Sequence, residues 1–198
     1  MKRSFVPGIV LFLSLAGALH AASGIDQEQV TVDLSVGGVA VGGGSAEKLA
    51  QVFTAATTGC LTHVTIPIGC DPSETLVVEI QATTAGVPNG TVLASETLPG
   101  SLFPSISPSS LQGGFRIIGF TRPAPVTAGT EYAIVLLGGP AGCGVFQGPA
   151  GDPYAGGHGW FDARPNPPGW IQFFSGRDDL PFQTFVETGI RGKCKKCR

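Results

Sequence analysis

Residues 148–180 concentrate the side chains with recognisable chemistry. Tyr154, Trp160, Phe161, Trp170, Phe173 and Phe174 lie there among Asp152, Asp162, Arg164, Asn166, Arg177, Asp178 and Asp179, and both tryptophans of the protein are included. Indole and phenol rings stack on the C–H faces of pyranose rings, while carboxylate, amide and guanidinium groups bond the hydroxyls. Tyr154, His158, Trp160, Asp162, Arg164 and Trp170 therefore form a candidate carbohydrate-contact set. The competing reading makes Trp160 and Trp170 core residues of two strands, with the aspartates and prolines in the turns between them. Asp152, Asp178 and Asp179 are a candidate ligand set for a structural calcium ion, although no D-x-D-x-D-G loop is present.

Catalytic patterns are sparse. Beyond the N-terminal leader the histidines are His63 and His158, and no G-x-S-x-G elbow occurs for a Ser-His-Asp triad. His63 lies in an alternating segment and reads as a face-lining residue; His158 lies in a Gly-rich loop and reads as a ligand or solvent contact. Glycoside hydrolysis needs two carboxylates roughly 5–9 Å apart. The aspartates at 152, 162, 178 and 179 would supply such a pair only as any acidic loop would. The glycines at 42–44 lack the Gly-Lys-Ser/Thr ending of a phosphate loop. The expectation is a protein without enzymatic activity.

Five cysteines, Cys60, Cys70, Cys143, Cys194 and Cys197, invite disulfide reasoning in an exported chain. With 61–68 extended at ~3.3 Å per residue, Cys60 and Cys70 stand about 30 Å apart, far beyond the ~7 Å limit for bridged Cα atoms. Cys70 and Cys143 both sit at loop edges, so Cys70–Cys143 is the favoured pair and Cys60–Cys143 the alternative. Cys194-Lys195-Lys196-Cys197 is half a zinc site, lacks the trailing His of a haem attachment and has no βαβ context. Cys194 and Cys197 thus read as tail thiols, joined to each other or to a covalent partner, or without a specific role.

The elements that must position these residues are strands. Segments 49–54, 61–68, 75–82, 91–98, 115–120, 132–137, 144–147, 159–163, 170–174 and 181–187 alternate or are rich in β-branched and aromatic residues. About ten short strands at such intervals predict an all-β, single-domain antiparallel sandwich or barrel. Within 49–54, Leu49, Gln51 and Phe53 share one face. In 61–68, Leu61, His63, Thr65 and Pro67 share one face, and Thr62, Val64, Ile66 and Ile68 the other. The segment 132–137 is the most apolar and is expected at a sheet centre. Asn89-Gly90 predicts a hairpin turn, which also accounts for its match to a glycosylation sequon. Ser45 is a candidate helix N-cap, 123–129 a bend, and 99–114 a long surface loop.

Residues 1–22, with Lys2-Arg3, an apolar run and small residues after it, are expected to be a signal peptide. Residues 23–44 read as a detached leader strand and Gly-rich connector, 45–188 as the sandwich, and 189–198 as a basic cysteine-containing tail. From 24 to 190 five basic side chains stand against all fourteen acidic ones, a net charge of −9. An acidic body excludes nucleic acid and anionic membrane as partners, and no later stretch has bilayer length.

Four stretches in order carry a family resemblance: QVFTA at 51–55 with LTHV at 61–64, GVPNGTVLA at 86–94, AGTEYAIVL at 128–136, and YAGG at 154–157 with DLPFQTFV at 179–186. The body resembles the secreted bacterial choice-of-anchor β-sandwich modules, type R. The resemblance implies a jelly-roll-like sandwich related in shape to carbohydrate-binding modules, and it implies no catalytic residues. After Val186 the chain reads ETGIRGKCKKCR, without the family's apolar sorting helix. The resulting expectation is a secreted or envelope-exterior recognition module for a carbohydrate or another surface polymer. The alternative is a structural or assembly component without a small ligand, and a hydrolase is the third reading.

Overall fold

The computed structural model describes residues 23–105, 114–162, 169–173, 179–188 and 194. The expected signal peptide at 1–22, Arg164, Asp178 and Cys197 lie outside the described residues. In chain order the strands are β1 (Ser23–Gln29), β2 (Val39–Val41), β3 (Lys48–Thr54), β4 (Gly59–Ile66), β5 (Ile68–Cys70), β6 (Thr75–Thr84), β7 (Val87–Pro99), β8 (Arg116–Val126), β9 (Glu131–Leu137), β10 (Cys143–Val145), β11 (Gly159–Asp162), β12 (Ile171–Gln172) and β13 (Phe182–Glu187). They form a six-stranded sheet, β12-β11-β3-β9-β6-β7, a four-stranded sheet, β1-β13-β4-β8, and a small sheet, β2-β10-β5. All pairings are antiparallel. The fold is all-β, as the strand periodicity predicts.

Alternation builds the core between the two larger sheets. Leu49 and Phe53 of β3, Leu76, Val78 and Ile80 of β6, and Ile134 and Leu136 of β9 are buried on one face of the six-stranded sheet. They pack in one cluster with Leu61, Val64, Ile118, Phe182 and Val186 of the four-stranded sheet. Strand β9 sits between β3 and β6, the central place expected of the most apolar segment.

The departures from the sequence reading are local and have physical causes. The predicted strand 61–68 is two strands in different sheets, because Pro67 has no N–H to continue a ladder. Leu61 and Val64 both face the core, which strict alternation forbids; against β13, Val186 faces Leu61 and Phe185 faces His63, so Thr62 is the extra residue of a bulge. The turn between β6 and β7 falls at Ala85-Gly86, whose φ angles are 50° and 75°, rather than at Asn89-Gly90. Pro123 and Pro125 lie inside β8, not in a bend; β8 is an edge strand, where a missing donor is tolerated. The expected leader strand is not detached, since β1 pairs with β13 along the edge of the four-stranded sheet, and the glycine-rich connector contains β2. Near Ser45 there is a single 3-10 turn, Gly43–Ser45, before β3.

Two disulfides close the fold. Cys70 and Cys143 face each other across β5 and β10 with Cα atoms 4.0 Å apart, the favoured pairing. The second joins Cys60 to Cys194, Cα atoms 5.5 Å apart, so Cys194 is not a tail thiol. The cause is register: Glu187, at the end of β13, is the cross-strand partner of Cys60, and Cys194 follows it by seven residues in the chain. Sequence separations of 73 and 134 residues correspond, on chain-entropy grounds, to about 4 and 5 kcal/mol of stabilisation.

Candidate functional site

Side chains between the core positions of the six-stranded sheet point to its outer face. Those of the central strands are small: Ala50 and Val52 on β3, Ala133 and Val135 on β9, all buried. Trp160, Trp170 and Leu137 pack over them, partly exposed. Registry explains the fit, since Trp160 is the partner of Ala50, and Ala50 that of Val135. A large ring beside two small side chains has a floor to lie on. Neither tryptophan belongs to the main core; both lie half-buried against this second cluster. Phe161 and Phe173 turn inward instead, their rings stacked at 5.9 Å and packed against the main cluster.

Beside these rings the face holds an open concavity of about 320 Å³, lined by Lys48, Gln81, Asn89, Asp162 and Trp170 over Val135 and Leu137. Its polar wall is built by internal hydrogen bonds. Gly90 N donates to Gln81 Oε1 at 3.1 Å, and Gln81 Nε2 donates to Glu79 Oε2 at 2.6 Å. Asn89 Nδ2 donates to Thr84 Oγ1 at 3.1 Å, and Asn89 Oδ1 accepts from Thr91 N at 2.9 Å. Gly90, at φ 82°, supplies the left-handed residue this bulge needs. Asp162 Oδ1 accepts from Gly169 N at 3.3 Å, tying β11 to the residue before Trp170. Lys48 and Asp162 are cross-strand partners, yet the Lys48 ammonium has no ion pair or hydrogen bond among the described residues.

The remaining predicted contacts lie elsewhere. Tyr154 is buried edge-on against Phe182, ring centroids 5.0 Å apart, and is not a stacking platform. Its hydroxyl donates to Gln27 Oε1 at 2.9 Å and accepts from Thr54 N at 3.3 Å, and burial pushes the phenol up to about 12. Asp179 is buried beneath the same loop. Its Oδ1 accepts from Gln51 Nε2 at 2.9 Å and its Oδ2 from Tyr154 N at 3.0 Å, while Gln51 Oε1 accepts from Leu180 N at 2.7 Å. Burial raises the Asp179 carboxyl to about 6 against those bonds; the Asp152 charge adds to the rise and His158 opposes it.

His158 holds the loop to β3 through its carbonyl, which accepts from Val52 N at 2.9 Å; its Nδ1 is buried without a hydrogen-bond partner among the described residues. Asp152 is exposed. Among the described residues no three of His, Cys, Asp and Glu gather at metal-binding distances.

The structure thus brings Trp160, Asp162 and Trp170 to one sheet face, places Tyr154 and His158 in the loop that runs along the same edge of β3 as β11, and buries Asp179 beneath that loop. Sequence reasoning missed Lys48, Gln81 and Asn89. Alternation within 49–54 would have placed Lys48 with Ala50 and Val52, opposite Leu49. Nothing local indicates that this face meets β6, the β7 bulge and Trp170.

No family model and no curated protein matches the chain. Among solved structures it is similar to the cysteine protease and lectin-like domains of Cwp84, a surface layer associated protein of Clostridium difficile. The identity is 17%, the TM-score 0.47, and the match covers 73% of this chain and 33% of that one.

Proposed function

We propose that this protein is an extracellular, non-catalytic recognition module whose six-stranded sheet binds a carbohydrate chain on its outer face. The observation that carries the reading is the concavity beside Trp170, where a partly exposed indole, an apolar floor and a polar wall converge. A sugar ring is amphipathic in the same way, with C–H faces for the indole and equatorial hydroxyls for the wall. The internal hydrogen bonds around Asn89 and Gln81 pre-shape that wall, so little ordering cost falls on binding. Two intrachain disulfides fit an oxidising compartment outside the cytoplasm.

The test is retention of the disulfide-intact protein on a panel of insoluble polysaccharides. Retention that disappears in Trp170→Ala but persists in Ile117→Ala, an exposed position on the four-stranded sheet, supports the outer-face site. Loss of retention with a calcium chelator would bring a cation into the site. Retention indifferent to Trp170→Ala would refute it.

A further inference from the structure

Lys48 is the one lysine between Lys2 and Lys193, and it stands in the wall of the Trp170 concavity. The side-chain amides and the carboxylates described there are engaged. Both ends of the Gln81 amide are bonded, to Gly90 N and Glu79, and both ends of the Asn89 amide are bonded, to Thr84 and Thr91. Asp162 is buried and accepts from Gly169 N, and Glu79, on the same face, shares its carboxylate with Gln81. Among the described residues Lys48 is the one charged donor lining the concavity, and its ammonium has no internal partner there.

An indole platform beside an unpaired ammonium matches one class of sugar better than others. From these placements we infer that the concavity takes an acidic saccharide, a uronate residue whose ring lies on Trp170 and whose carboxylate accepts from Lys48 Nζ. The inference rests on the carbohydrate reading above. A charge-assisted hydrogen bond is roughly twice as strong as a neutral one, which is the source of the discrimination. The body between 24 and 190 carries a net charge of −9, so a long polyanion is repelled at a distance. Recognition is therefore local, and short acidic oligomers are the ligands that reveal it.

The experiment compares trigalacturonate with neutral galactotriose by isothermal calorimetry on the disulfide-intact protein. The acidic trimer is expected to bind at least tenfold more tightly, about 1.4 kcal/mol. Lys48→Gln should bring the two trimers within about threefold of each other, and Lys48→Arg should restore the preference. Unchanged thermal melting of both variants separates recognition from folding. Equal binding of the two trimers, lost in Trp170→Ala, overturns the uronate inference and leaves the carbohydrate site standing. A preference that survives Lys48→Gln overturns the role of Lys48. Binding of neither trimer overturns the inference, and retention on the polysaccharide panel then decides the site separately.

Discussion

Glu74 is a buried carboxylate, and replacing it by glutamine changes one atom without changing shape. Its Oε1 accepts from Thr75 N at 2.6 Å and from Gly139 N at 2.7 Å, and its Oε2 accepts from Gly142 N. These bonds pin the segment between β9 and β10, which sets Cys143 opposite Cys70. In Glu74→Gln one oxygen can stay with Thr75 and Gly139, but the amide nitrogen then meets the Gly142 N–H donor to donor. Orphaning that buried donor costs about 1–3 kcal/mol, and turning two charge-assisted bonds neutral adds about 1 kcal/mol. A total of about 2–4 kcal/mol lowers Tm by roughly 5–12 °C for a chain of this size. Scanning calorimetry with both disulfides intact measures the difference directly. Hydrogen exchange at the Gly142 amide should accelerate in the variant. A Tm within 2 °C of the parent, with Gly142 still protected, would refute the claim that this carboxylate anchors the segment.

Three further outcomes follow from the same contacts. The Asp179 carboxyl is raised to about 6, above the ~4 of an unfolded chain, so the folded state holds its proton more tightly. This group's contribution is therefore full below pH 4 and falls by about 1–2 kcal/mol as pH rises through 6, with solvent screening allowed for. Urea midpoints of the parent against Asp179→Asn at pH 4.5 and 7 should isolate that slope. A Cβ on Gly157 would stand 2.1 Å from the Val52 carbonyl oxygen, so Gly157→Ala must push the loop off β3. It should cost about 2–3 kcal/mol by thermal melting and weaken sugar retention, because β11 and Trp160 follow directly. Cys194→Ser removes the Cys60 bridge and should lower stability by up to about 5 kcal/mol while Cys70–Cys143 stays intact on peptide mapping.

Local signals in the chain were enough for the architecture. Strand-favouring composition marked 49–54, 75–82 and 132–137 as strands, and the two-residue period of 49–54 put Leu49 and Phe53 on one face, because side-chain direction in a strand depends only on its own backbone. Loop-edge placement was enough to favour Cys70–Cys143. Where the reading slipped, a feature with more than one local solution was resolved by a distant partner. Asn89-Gly90 is the stronger turn dipeptide by composition, yet the pairing of β6 with β7 put the turn at Ala85-Gly86. Cys60 found Cys194 because β13 pairs with β4.

The site divides in the same way. That the tryptophans belong near Asp162 follows from adjacency in the chain. That they lie on a floor of Ala50, Val52, Ala133 and Val135, with Lys48 and the Asn89 bulge beside them, follows from the sheet order β11-β3-β9-β6-β7. Strand order and register are set by burial summed over whole faces, a quantity no short window of sequence contains. The residues capable of recognition were therefore legible one by one, and their assembly into a single concavity was decided by the packing of the sheet.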